Sequence, residues 1–104
     1  MQSFNLMSPE AICGTVGERV RRLRLQHNLT QQQLADMTLG SLSSIRRLEA
    51  RGQAPLLLLV RVSQALQVVD QWDSLFNEPV LTIAQAEKAE QLATRQRARI
   101  PKRP

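Results

Sequence analysis

The stretch Thr30–Gly52, TQQQLADMTLGSLSSIRRLEARG, decides the fold, because its residue spacing predicts two short helices joined by a tight turn. Thr30 and Gln33 have the spacing of a capping box, so the first helix is predicted to begin directly after Thr30. Gly40 is expected to give the backbone freedom that the turn needs. Ser41 then lies where the N-cap of the second helix belongs.

The second helix of this pair has one apolar side and one polar side. Ile45 and Leu48 are three residues apart, which places both side chains on the buried side. The residues left near the outer face are Leu42, Ser43, Arg46 and Arg47. Backbone amides at a helix start attract anions, and an arginine can bond the O6 and N7 atoms of guanine together. The pattern therefore favours binding to double-stranded DNA, with ordinary solvated surface residues as the alternative.

The stretch resembles the Cro/C1-type helix-turn-helix of the Xre family, whose pattern runs T-Q-x-x-L-A, a turn, then S-x-x-x-[IL]-x-x-[LW]-E. The matching residues are Thr30, Gln31, Leu34, Ala35, Ser41, Ile45, Leu48 and Glu49. The resemblance covers roughly residues 15–76 and implies an all-α, five-helix, lambda-repressor-like domain. The chain departs from the pattern at the turn, where Leu39 replaces the usual glycine, and after Glu49, where Ala50-Arg51-Gly52 replaces Asn-Gly.

The resemblance also implies roles for individual residues. Gln31 and Ser41 would each bond a DNA phosphate from the start of their helices. The residues that would face base edges or the adjoining backbone are Leu42, Ser43, Arg46 and Arg47. The implied partner is double-stranded operator DNA, and the resemblance implies no cofactor, metal or catalytic residue.

A helix is predicted before this stretch, beginning near Thr15 in a capping box with Glu18. An extra short helix could open at Ser8-Pro9-Glu10, with Gly14 breaking it. The predicted buried stripe is Val16, Val20 and Leu23, and the arginines expected to cover the outer face are Arg19, Arg21, Arg22 and Arg24. Asn28 suits the left-handed position at the end of this helix.

Two further helices are predicted after the stretch. Pro55 fits the first turn of a fourth helix. Its helical spacing is carried by Leu56, Leu59, Val60, Ser63 and Leu66, and the apolar surface is widened beyond one stripe by Leu57, Leu58 and Val62. Its leucines exceed what a small core needs, so some are expected in a subunit interface. Asp70 is expected to cap a short fifth helix, in which core or interface anchors are Trp72, Leu75 and Phe76.

The predicted domain organisation has three parts. Residues 1–14 form an N-terminal arm, residues 15–79 the helix-turn-helix domain, and residues 80–104 a C-terminal extension that is helical or partly disordered. Thr82 and Gln85 make a capping box that would open the helical form, although residues 80–83 could instead form a short strand. The basic tail from Arg97 onward is expected to be disordered.

The net charge of +5 over 104 residues equals the charge of residues 95–104 alone. Residues 95–104 contain five basic and no acidic side chains, leaving nine of each sign in the rest of the chain. The prediction of DNA binding therefore depends on the register of the two helices more than on basicity. No apolar run is long enough to span a membrane, and one cysteine suits a reducing compartment, so a cytoplasmic, nucleoid-associated protein is expected.

The sequence does not predict an enzyme. The one histidine is His27, no His/Cys cluster has metal-ligand spacing, and no glycine-rich phosphate loop is present. Two classes of function remain. The first is a dimeric operator-binding repressor. The second is a protein-interaction module whose adhesive surfaces would be Leu56–Val60 and residues 80–94.

A narrower resemblance concerns the end of the predicted domain. The chain is similar to the DNA-binding antitoxins of HipA-type kinase toxin–antitoxin modules. The residues that carry this similarity are Leu66, Trp72, Leu75, Phe76, Glu78 and Pro79. The resemblance implies a homodimer that represses its own operon and holds a HipA-like Ser/Thr kinase toxin.

Overall fold

A computed structural model describes residues 3–78 and 82–99, and every regular element in these residues is helical. The α-helices are α1 (Pro9–Gln26), α2 (Gln31–Met37), α3 (Leu42–Arg51), α4 (Leu56–Ala65) and α5 (Ile83–Arg99). Short 3-10 helices lie at Phe4–Leu6 and Val69–Ser74. The chain divides into two units, residues 1–73 and residues 74–104. The prediction of an all-α fold is confirmed.

Helix α1 begins earlier than its sequence predicts. The Ser8 side chain accepts a hydrogen bond from the Ala11 amide, and Pro9 occupies the first turn, where its missing N–H costs nothing. The helix then continues through Gly14, because a single glycine weakens a helix without ending it. Thr15 donates its hydroxyl to the Ala11 carbonyl oxygen and is no cap. The predicted start at Thr15 and break at Gly14 are therefore wrong.

The starts of α2 and α3 agree with the sequence. The Gln33 amide donates to the Thr30 hydroxyl, and the Gln33 side chain accepts from the Thr30 amide, which completes the capping box. Ser41 caps α3 by accepting from the Ser44 amide at 3.1 Å. Both predicted N-caps are confirmed.

The turn between α2 and α3 differs from its prediction. Leu39, with φ of 57°, takes the left-handed conformation that was expected to need Gly40. Gly40 serves another purpose, since a Cβ added there would lie 3.1 Å from Cδ1 of Leu58. The resemblance places a glycine at this position, and the turn keeps the backbone geometry that a glycine would adopt. Because a left-handed φ strains an L-residue, keeping that geometry with Leu39 costs free energy.

Leu39→Gly is expected to raise the free energy of unfolding by about 1 kcal/mol, because glycine adopts a positive φ without Cβ strain. The leucine side chain is 82% exposed, so little apolar burial is lost. Urea unfolding followed by circular dichroism measures the change. Met37→Gly, also exposed but within α2, is the control and should destabilise the protein. A Leu39→Gly variant that is less stable than the parent contradicts this account.

The core lies between α1, α2, α3 and α4. Its buried members are Val20, Leu34, Ala35, Ile45, Leu48, Leu58, Val62 and Leu66. The predicted burial of Leu34, Ala35, Ile45 and Leu48 is confirmed. The predicted spacing of α4 is confirmed in part, since Ser63 and Leu66 are buried and Leu59 packs against the core. Leu58 and Val62 are buried beside them, whereas Leu56, the first residue of the predicted spacing, and Leu57 are exposed.

The crossing of α1 over α3 depends on two glycines. A Cβ added to Gly17 would overlap the Leu48 carbonyl oxygen, so the two helix backbones can approach only because that side chain is absent. Gly52 caps α3 with φ of 67°, and a Cβ there would overlap the Cys13 backbone. The close crossing sets the position of α3 relative to α1.

The predicted fifth helix is the 3-10 helix Val69–Ser74. Asp70 lies in its first turn, so its predicted role as the N-cap is wrong. Half-buried Trp72 donates its indole N–H to the Ser63 hydroxyl at 2.8 Å, which ties this helix to α4 and agrees with an anchoring role. Phe76 is 96% exposed and does not belong to the core.

The second unit contains α5, whose start agrees with the sequence. Thr82 and Gln85 form the predicted capping box, and the helix extends from Ile83 to Arg99. Ile83 is helical, and residues 80 and 81 of the alternative strand lie outside the described residues, as do residues 100–104 of the tail. The backbone of residues 97–99 is helical, which contradicts disorder from Arg97 onward. The predicted domain boundaries at 14/15 and 79/80 stay predictions.

No helix in the described residues combines the length and the apolar character needed to cross a bilayer.

Candidate nucleic-acid interface

Helix α3 presents a sharply divided surface. Ile45, Leu48 and Glu49 face inward and are buried. Successive residues of an α-helix advance by roughly 100°, so Ser43 and Arg47 lie almost opposite Ile45. Both of these residues are exposed. The outward surface of α3 is therefore formed along the line from Ser43 to Arg47.

The other predicted residues of α3 flank this line. Arg46 is exposed and lies about a quarter turn to one side. Leu42 is half-buried on the same side, at the first residue of the helix. Ser41 caps the helix, and its hydroxyl lies 2.8 Å from that of Ser44 on the opposite flank. The structure thus places Ser43, Arg46 and Arg47 on the exposed side of α3 and Ser41 and Leu42 at its start. Their predicted contacts with DNA stay predictions.

Arg46 and Arg47 differ from two of the exposed arginines of α1, Arg21 and Arg22, in their electrostatic surroundings. Arg21 and Arg22 lie 3.8 Å and 3.4 Å from the Glu18 carboxylate, which partly neutralises them. Within the part of the chain that the structure describes, neither Arg46 nor Arg47 has such an acidic partner. The outer face of α3 therefore carries uncompensated positive charge, which attracts a polyanion.

A buried ion pair fixes α3 to α1. Arg24 donates from Nε to Oε2 of Glu49 at 2.7 Å and from Nη2 to Oε1 at 2.9 Å. Its Nη1 donates to the Leu29 carbonyl oxygen at 2.8 Å. Both side chains are almost fully buried, at 9% and 3% exposure. Arg24 is consequently no part of the outer arginine face, which corrects the sequence prediction.

Gln31 joins the same group from the start of α2. Its Nε2 donates to Oε1 of Glu49 at 3.1 Å, so one carboxylate links α1, α2 and α3. We call these three residues, Arg24, Gln31 and Glu49, the carboxylate cluster. Gln31 is half-buried, and its amide orientation is set by Glu49. Its predicted contact with a phosphate stays a prediction.

A shallow cleft of about 290 Å³ borders the outer face of α3. Its lining consists of Ser43, Ser44, Arg47, Gln53, Ala54 and Pro55. No acidic side chain belongs to this lining, and the hydroxyl, guanidinium and amide groups are hydrogen-bond donors. The loop between α3 and α4 therefore continues this surface, without acidic side chains, on the flank opposite Arg46.

Residues 20–70 match the Helix-turn-helix family model. That range includes α2, the turn and α3 in the arrangement described above. These residues form a helix-turn-helix domain. The family comprises DNA-binding regulators of transcription, and double-stranded DNA is its partner. No curated protein matches the chain.

The helix-turn-helix domain also contains structural residues that the sequence analysis missed. Gly17 and Arg24 were not assigned to the buried side of α1, and Glu49 was matched to the family pattern without a role. The signal was present in the spacing, because Gly17, Val20 and Arg24 follow one another at three and four residues. A charged residue within a buried stripe indicates an ion-pair partner elsewhere in the chain.

Proposed function

We propose that this protein is a sequence-specific transcriptional repressor, which binds a palindromic operator in the cytoplasm as a homodimer. In the proposed complex, α3 lies in the major groove. Gln31 and Ser41 bond phosphates, and the residues facing base edges or adjoining backbone are Leu42, Ser43, Arg46 and Arg47. This placement of α3 follows the general docking geometry of helix-turn-helix domains, in which the second helix of the motif lies in the major groove.

The observation that carries this proposal is the exposed, uncompensated pair Arg46 and Arg47 on a helix whose other face is locked into the core. A reading helix must be rigid, because displacement by about 1 Å breaks bidentate bonds to bases. Ile45, Leu48 and the carboxylate cluster supply that rigidity. The positive charge of Arg46 and Arg47 and the fixed position of α3 together favour a DNA-binding role for this face over that of an ordinary solvated surface.

The homodimer is supported by the apolar residues that α4 leaves in solvent. Leu56 and Leu57 are 65% and 60% exposed, and they follow directly after Pro55 at the edge of the cleft beside α3. Adjacent exposed leucines are typical of an interaction surface. In the proposed dimer, a second copy packs against these leucines, and its α3 faces the same side of the dimer as the first, as a palindrome requires.

The proposal is tested by selecting duplexes from a random library with the full chain and footprinting the enriched sequence. We expect a palindrome protected at two half-sites whose centres lie roughly 34 Å apart. The double variant Arg46→Ala/Arg47→Ala is expected to lose at least about 2 kcal/mol of binding free energy, because each arginine contributes roughly 1–3 kcal/mol.

The matched control is Arg21→Ala/Arg22→Ala, which removes the same charge from an exposed face of α1. Both double variants remove two positive charges, so the long-range attraction between the protein and DNA is reduced similarly in each. A difference in their binding free energies therefore reports local contacts with the operator. We expect the control to bind within about 0.5 kcal/mol of the parent. Equal losses in the two double variants would show that α3 does not read the operator.

We further propose that this repressor is the antitoxin of a HipA-type module and holds a Ser/Thr kinase toxin. The support is the short resemblance at residues 66–79, together with the exposed aromatic ring of Phe76. Co-purification with a kinase encoded beside the gene tests this role. Normal operator binding combined with no retention of that kinase would reject the antitoxin role alone.

A protein-interaction module is the second candidate function, and the exposed Leu56, Leu57 and Phe76 favour it. In this alternative DNA binding is secondary. A chain that enriches no duplex but retains the kinase would support the second candidate against the repressor.

A further inference from the structure

We infer that Arg47 is the residue that reads a guanine in each half-site, whereas Arg46 contacts a phosphate. This assignment rests on the proposed function. It gives different roles to two adjacent arginines that the sequence does not distinguish. The difference between them is one of direction around α3.

The buried face of α3 determines which side enters a groove. Ile45 and Leu48 face the core, so the groove floor faces the line through Ser43 and Arg47. Residues a quarter turn away face the groove walls, which consist of sugar and phosphate. Arg46 lies on one of these flanks. Ser44 lies on the other, where the cleft that begins at Ser43 and Arg47 extends toward Gln53.

The length and direction of Arg47 suit a base contact. Long side chains on a helix lean toward its N-terminus, so Arg47 extends over position 43, which lies one turn earlier. Ser43 is small and leaves that path open, and both residues line the same cleft. The guanidinium can therefore reach the N-terminal end of α3, where helix-turn-helix proteins contact base edges. Its planar fork matches guanine O6 and N7.

Arg46 has no comparable open path toward the N-terminal end of α3. Its neighbour one turn earlier is Leu42, a larger and half-buried side chain on the same flank. An arginine on a groove wall meets phosphate oxygens, which carry no sequence information. Arg46 should therefore contribute affinity without selectivity.

The experiment repeats the duplex selection with the full-length parent, Arg47→Ala and Arg46→Ala. We expect the parent to enrich a guanine at one fixed position of each half-site. Arg47→Ala should lose that preference, with discrimination at the position falling roughly 5- to 150-fold. Arg46→Ala should keep the guanine, bind all sequences more weakly, and reduce the slope of log affinity against log salt by about 0.9.

Both side chains are exposed, so thermal unfolding should show that both variants remain folded. Guanine retained by Arg47→Ala, or lost in Arg46→Ala, overturns the assignment while leaving the repressor intact. A parent that enriches no sequence overturns the proposed function and this assignment with it.

Discussion

Glu49→Ala is expected to reduce the free energy of unfolding by about 3–5 kcal/mol. The substitution leaves the guanidinium of Arg24 buried without a counter-charge, because the two bonds of 2.7 and 2.9 Å disappear together. It also removes the acceptor that holds Gln31. Urea unfolding followed by circular dichroism at 222 nm measures the loss.

Glu18→Ala is the matched control, since it removes a carboxylate whose arginine partners are exposed. Its expected effect is within about 0.5 kcal/mol. A third variant distinguishes the loss of the counter-charge of Arg24 from the loss of the packing volume of the Glu49 side chain. Arg24→Met/Glu49→Leu fills the site with apolar atoms and should recover most of the stability. Equal losses for Glu49→Ala and Glu18→Ala would show that the buried pair is unimportant.

Gly17→Ala is expected to destabilise the domain by about 3 kcal/mol, although alanine is normally the better helix former. The added methyl group would overlap the Leu48 carbonyl oxygen and lie 3.0 Å from that of Glu49. Both are backbone atoms of α3, so relief requires α1 and α3 to separate. The separation would also displace Arg47, and operator affinity should fall with stability.

Gly14→Ala, one turn earlier on the same helix, is the control for Gly17→Ala. A Cβ at Gly14 has no atom within 4 Å, so only the intrinsic preference for alanine applies. It should raise the free energy of unfolding by about 0.5–1 kcal/mol. The two variants are therefore expected to change stability in opposite directions. A stabilising Gly17→Ala would mean that α1 and α3 are not in close contact.

The predictions that the structure confirms concern local geometry. Thr30, Ser41 and Thr82 cap helices as expected, because a capping bond joins groups only three residues apart. Asn28 adopts the left-handed conformation for a similarly local reason. The alternation of Ile45 and Leu48 with exposed neighbours also fixed the inward face of α3.

The predictions that failed concern residues whose surroundings come from distant parts of the chain. The sequence left open which leucines of α4 pack in the core, because its apolar residues offer more than one stripe, and only the neighbouring helices select Leu58 and leave Leu56 exposed. Leu39 takes the left-handed turn position, whereas Gly40 lies where an added Cβ would crowd the Leu58 side chain. Local backbone preference alone had favoured Gly40 for the left-handed position, because glycine adopts a positive φ without strain.

The sequence by itself determined where the helices α2, α3 and α5 begin and that α3 has an outward face carrying Arg46 and Arg47. Tertiary structure alone decided how that face is held. Arg24 and Glu49 are 25 residues apart, and Gly17 meets Leu48 across the α1–α3 crossing. No local rule relates such residues, because their free energy depends on desolvation and close packing that exist only after the chain has folded.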